Sequence, residues 1–287
     1  MEAAERERPF PAASGGWDEG DPRALTPEPG RRRVTRRAFV DRVLGAALAP
    51  ALLGCGVARG ARQEARLGAR PGPPTREPTH GRSALGLGSG RDGLLYVPRS
   101  YAGEAALPLL VALHGAGGSA GNWASYPERA EALGFVLLAP DSRGRTWDAV
   151  QGGFGPDVRF LDQALAHTFE RCRIDPGRIA LGGFSDGASY ALSLGVANGD
   201  LFTHLIAYSP GFYVTDAARP GKPRVFVSHG RSDRILSFAR TERSIVPGLS
   251  HEGYDVAFHP FDGGHDVPGE ISDAAFAWFL GGQPPTS

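Results

Sequence analysis

At 287 residues, with 31 Lys and Arg balanced by 31 Asp and Glu, the chain carries no formal net charge and offers no overall field to draw in nucleic acid or an acidic surface. Two cysteines, Cys55 and Cys172, exclude a disulfide framework, and the second falls in a helical pattern as a buried small hydrophobe with no chemistry of its own. The length admits one large or two small domains, and the uneven composition favours one folded domain behind a non-globular leader.

Residues 1–30 are rich in Pro, Glu, Gly and Ala, a composition that cannot bury enough apolar surface to offset chain entropy, and are expected to be disordered. A basic stretch, RRRVTRRAFVDRV, then precedes an apolar run from Val43 to Gly54 that is shorter than the roughly 20 residues needed to span a bilayer. That layout is the one of an export signal. Thr35 to Val40, TRRAFV, resembles the twin-arginine export motif, and Leu52-Leu53-Gly54-Cys55 resembles the lipobox of bacterial lipoproteins. Together they imply that residues 1–55 are leader and signal, that the protein is exported by the twin-arginine route, and that acyl chains on Cys55 anchor it at the periplasmic or extracellular face of a membrane. Residues 56–91, dominated by Gly, Arg, Pro and Ala, read as a solvated linker. The folded domain is expected over 92–282, with 283–287 as a tail.

Within that domain short apolar runs alternate with amphipathic stretches, the order that builds a mostly parallel sheet covered by helices, an α/β fold. LLYVP, LPLLVALHG, FVLLAP, RIALGGFS, HLIAYSP, RVFVSHG and YDVAFHPF read as about seven strands. Helices are predicted around Tyr126 to Leu133, over DVRFLDQALAHTFERC with its stripe of Val158, Leu161, Leu165 and Phe169, over ALSLGVAN, and over the closing ISDAAFAWFL. Asp175-Pro176-Gly177 reads as a break in the chain.

Gly183-Phe184-Ser185-Asp186-Gly187 fits G-x-S-x-G between a predicted strand and a predicted helix, where a sharp turn lifts the serine hydroxyl above the sheet. A hydroxyl needs a base, and the base needs a carboxylate to orient it. In the chain order this architecture requires, Asp233 follows one strand and His265 lies in a Gly-flanked loop after the last. His114 and His229 end strands in HG pairs and read as structural; His251 and His259 flank the last strand. The HGAGGS loop, His114 to Ser119, lacks the lysine of a phosphate-binding loop and instead places backbone donors, with Ala116 and Asp186 as the expected oxyanion pair. Only about a dozen residues separate the strands HLIAYSP and RVFVSHG, leaving no room for a large cap, so Trp147, Phe154, Phe212 and Tyr213 are expected on an open rim, with Arg143 or Arg145 available to an anionic group.

The segments HGAGGS, GGFSDGAS, HGRSD and GGHDVP together resemble the small bacterial esterases of the α/β-hydrolase superfamily, of the phospholipase/carboxylesterase, polyhydroxybutyrate-depolymerase-like or feruloyl-esterase-like kind. The resemblance runs from about Leu94 to Leu280. It implies hydrolysis of a carboxylic ester through an acyl-enzyme with no cofactor; a small or polymeric ester substrate, a monomeric chain and no metal are also expected. Asp186 departs from the Gln that carboxylesterase relatives commonly carry after the nucleophile. The same residues would also serve a thioesterase or a peptidase; the fold alone would not settle against a non-catalytic binding lipoprotein, but the intact Ser, Asp and His set argues against it.

Overall fold

The computed structural model describes residues 65–88, 90–214 and 219–281. The leader, the twin-arginine and lipobox segments with Cys55, and the tail after residue 282 lie outside the described residues. Eight strands form one sheet: β1 Gly81–Ala84, β2 Gly93–Val97, β3 Leu107–Leu113, β4 Val136–Pro140, β5 Ile174–Phe184, β6 His204–Tyr208, β7 Arg224–Gly230 and β8 Val256–Phe261, in the order β1-β2-β4-β3-β5-β6-β7-β8. The β1–β2 and β2–β4 pairs are antiparallel, and every pairing from β4 to β8 is parallel.

Because successive side chains of a strand point to opposite faces, the apolar runs feed two cores. Leu109, Val111 and Leu113 of β3 face one core, which is closed by α2 (Pro156–Phe169) and α3 (Asp186–Ala197). Leu110 and Ala112 face the other, closed by α1 (Tyr126–Leu133) and α6 (Gly269–Leu280). Helices on both faces are why β3 and β4 read as unbroken apolar runs rather than alternating ones.

The sequence-based reading differs from the structure in three places. First, residues 65–88 are not a free linker: Ala65 and Leu67 are buried, the Arg66 guanidinium donates two hydrogen bonds to Asp200 (2.9 and 2.6 Å), and Gly81–Ala84 pairs with β2 as an eighth strand. Single-chain composition hides this, since the partners lie about 130 residues away in sequence. Second, Asp175-Pro176-Gly177 does not break the chain but sits inside β5, where the pairing with β3 shifts register. The exposed positions of that stretch leave proline's missing N–H unneeded. Third, a helical stretch follows β7: α4 (Phe238–Arg240), a π-helical turn over Thr241–Ile245, and α5 (Val246–His251).

The candidate active site

Ser185, Asp233 and His265 all follow the carboxyl ends of parallel strands, the end of an open α/β sheet where loops converge. Ser185 follows β5 directly and precedes α3, and its backbone takes φ 59° and ψ −118°, a conformation costly for a residue with a Cβ. Two things hold it there. Its N–H donates to Tyr208 O (2.9 Å) on β6, and the flanking glycines allow close backbone packing, since a methyl on Gly187 would strike the carbonyl of Leu113 and one on Gly183 would strike Gly187 itself.

His265, in the loop between β8 and α6, places Nε2 2.9 Å from Ser185 Oγ and Nδ1 2.6 Å from Asp233 Oδ2. An ionised carboxylate only accepts, so Nδ1 carries the proton and Nε2 is left to accept from the serine hydroxyl. Asp233 lies three residues past the end of β7 with its side chain fully buried. Burial alone would push its carboxyl up, but the amides of Leu236 and Ile235 on Oδ1 (2.9 and 2.7 Å) and the His265 ring outweigh it and hold the acid below the usual carboxylate range. The Phe184 ring packs against the His265 imidazole at 4.6 Å between centroids.

The loop after β3 is tied down from several sides. His114 is buried, its Nδ1–H reaching Gly115 O (2.7 Å) and its Nε2 accepting from the Ser142 amide (3.0 Å). Arg91 donates to Gly118 O (2.6 Å), and Gly117 N–H donates to Arg145 O (2.7 Å). The Ala116 amide has no acceptor among the described residues, and the Asp186 amide opens α3, where a first-turn N–H has no intrahelical partner. Both are therefore free to donate to a developing oxyanion. The Asp186 carboxylate is turned aside by a hydrogen bond from Thr146 Oγ1 (2.7 Å).

The expected substrate rim needs correction. Trp147 is fully buried, its indole N–H donating to His114 O (2.8 Å) and its ring stacked on Tyr190, so it supports the donor loop from inside the core. Phe154 is buried against the same tyrosine. Arg143 is committed to the carbonyls of Arg91 (2.6 Å) and Asp141 (2.9 Å) and lies 3.4 Å over the Phe160 ring, which leaves Arg145 as the exposed arginine of this loop. Phe212 is half-buried in the loop leaving β6, and Tyr213 donates to Glu252 (3.2 Å). A cavity of about 370 Å³ adjoins the site, lined by Gly115, Phe184, Val267, Trp123, Tyr126 and Arg129 among others. Among the described residues no cluster of three or more His, Cys, Asp or Glu is placed to hold a metal ion.

One residue of the site was set aside by the sequence reading. His229, read as structural, places Nε2 3.1 Å from Asp233 Oδ2, the same oxygen that His265 uses. An HG pair four residues before the aspartate was the only signal.

No protein-family model matches the chain. It is 30% identical over 125 residues to feruloyl esterase B of Thermothelomyces thermophilus, a match covering 40% of this chain and 42% of that protein's length. An S-formylglutathione hydrolase of Staphylococcus aureus superposes with a TM-score of 0.55 over 73% of this chain and 100% of its own, at 13% identity. The esterase Est2 of Thermogutta terrifontis, with propionate bound, superposes with a TM-score of 0.54 over 71% and 92%, at 17% identity. The chain has the α/β-hydrolase fold. Around Ser185 it places a strand, a sharp turn and a helix, and the loops after β7 and β8 bring Asp233 and His265 to it.

Proposed function

We propose that this chain is a serine carboxylic ester hydrolase working through an acyl-enzyme. The observation that carries the reading is the continuous chain of hydrogen bonds from Ser185 Oγ through His265 to Asp233, at 2.9 and 2.6 Å. Ser185 Oγ attacks the ester carbonyl while its proton passes to His265 Nε2, and Asp233 stabilises the imidazolium that forms. The negative tetrahedral oxygen takes hydrogen bonds from the Ala116 and Asp186 amides, each contributing about 3 kcal/mol to the transition state. His265 then gives its proton to the departing alkoxide, leaving the acyl group on Ser185. Water attacks that ester with His265 again as base, and the acid leaves.

The names of the similar proteins, esterases and a hydrolase of a thioester, support acyl transfer as the reaction class. A cavity of about 370 Å³ suits a compact acyl or aryl group. The test is turnover on a panel of chromogenic esters of increasing chain length, with one thioester and one anilide, beside Ser185→Ala. Hydrolysis by the wild type and none by the variant supports the proposal; fastest turnover of the thioester or the anilide reassigns the substrate, and equal rates with and without Ser185 overturn it.

Export and anchoring through Cys55 remain part of the proposal. With Ala65 already docked on the domain, only residues 56–64 would separate the lipid from the folded surface, a reach of about 30 Å at full extension. Such an anchor would hold the site near the membrane rather than on a long tether. Cys55→Ala is expected to move exported protein from the membrane to the soluble fraction, and unchanged fractionation would refute lipidation.

A further inference from the structure

We propose that His229 is a positioning residue of this site: its Nε2 stands beside the Oδ2 oxygen of Asp233 that His265 uses, and this second approach tempers the hold of Asp233 on the His265 ring. The inference rests on the proposed role of His265 as the base.

The proton placement follows from the partners. His229 Nε2 hydrogen-bonds Leu236 O at 3.3 Å and lies 3.1 Å from Asp233 Oδ2; a carbonyl only accepts, so that nitrogen carries hydrogen. Nδ1 faces Thr241 Oγ1 at 2.8 Å, whose single proton also has Pro210 O within reach at 3.1 Å. The ring is fully buried, and burial holds it below the usual histidine range against the opposing pull of Leu236 O and Asp233, with His265 adding to the lowering. Two imidazoles therefore converge on one carboxylate.

The carboxylate cannot turn away from either. Its other oxygen, Oδ1, accepts from the Ile235 and Leu236 amides, which fixes the plane of the group. What His229 alters is thus the charge available at Oδ2 rather than the direction in which Oδ2 points. A second donor on that oxygen leaves less negative charge to stabilise a protonated His265.

The π-helical turn contributes Thr241, and the loop after β6 contributes Pro210 O, a second acceptor at 3.1 Å from Thr241 Oγ1. The Phe238 ring stands edge-on to His229 at 5.9 Å, and Phe184 covers His265. Arg231, paired with Asp262, and Arg234 and Asp266 are all exposed.

The test compares the full chain with His229→Phe, His229→Asn and His229→Gln. Gln can put an N–H where Nε2 stood, whereas Asn can reach Thr241 but falls short of Asp233, and Phe offers no donor. The pH midpoint of the His265 ring resonance is read by NMR on histidine-labelled protein and assigned by its loss in His265→Gln. The acid limb of kcat/KM on a chromogenic ester is read in parallel. The expected result is a rise of about 0.5–1 pH unit in both readouts for Phe and Asn, with Gln close to wild type. If Phe prevents folding, the Asn and Gln pair decides. A midpoint unmoved in Asn, or moved equally by Asn and Gln, overturns the proposal. The NMR readout needs no turnover, so a wild type that cleaves no ester would count against the hydrolase reading while the midpoints still decide the role of His229.

Discussion

His265 Nε2 lies 2.9 Å from Ser185 Oγ although 80 residues of sequence separate the two, and the tautomer that lets it accept from the serine is set by Asp233 on its other nitrogen. In Asp233→Asn an amide NH₂ presented to Nδ1 would favour the opposite tautomer, leaving Nε2 protonated and unable to accept. The expected outcome is a fall in kcat of roughly three to four orders of magnitude with the melting temperature nearly kept. Steady-state rates and circular dichroism on the same samples check it; a fall of less than tenfold would remove Asp233 from the role.

Gly187 illustrates how much of the site is a matter of backbone clearance. A methyl there would run into the carbonyls of Leu113 and His114, groups of β3 and its loop that cannot move without disturbing the sheet. Gly187→Ala is therefore expected to destabilise the domain by about 2–4 kcal/mol in urea unfolding. Stability equal to wild type would show that the turn has more room than this geometry allows.

Trp147 belongs to the core and not to the substrate. Trp147→Ala is expected to cost about 3–5 kcal/mol of stability, as a large buried aromatic does, and to leave KM for small esters within about twofold. A raised KM in a fully stable variant would return Trp147 to the binding surface.

These cases also mark what could be read from the sequence. The Gly183 to Gly187 segment was legible because turn, nucleophile and helix start are consecutive residues, and the strands were legible because two covered faces leave unbroken apolar runs such as LPLLVAL. Trp147 was misplaced because a tryptophan among Gly, Asp and Arg looks like a loop residue, whereas its burial comes from Tyr190 on a distant helix. Likewise Arg66, Leu67 and Gly68 hold on through Asp200, Asn198 and Asp162, and nothing local in ARLGAR announces those partners. His229 was read as a residue with a structural hydrogen bond; its approach to Asp233 depends on the fold of the loop that carries both.

The acid side of the stability curve has an identifiable source in His204. It sits buried at the start of β6 between the rings of Trp278 and Phe279, and burial, with Arg224 adding to it, lowers its pKa to about 4. The unfolded chain takes up a proton there near the ordinary value of 6.5, while the folded chain resists until about 4. Stability is therefore expected to fall as pH drops from 6.5 toward 4, by up to about 3 kcal/mol from this one residue. His204→Gln should be less stable at pH 7 and show a shallower decline on acidification. Urea unfolding at pH 7, 5.5 and 4.5 checks this, and parallel curves for the two proteins would exclude His204 as the source.

The central claim is that Ser185 is a nucleophile activated by His265, and covalent labelling tests it without knowledge of the natural ester. Purified chain treated with a fluorophosphonate is digested and the peptide bearing Ser185 is weighed by mass spectrometry. The account expects one phosphonyl group on Ser185, none on Ser185→Ala, and labelling slowed by roughly a hundredfold or more in His265→Ala. A folded wild type left unlabelled at Ser185, or label retained in Ser185→Ala, would contradict it.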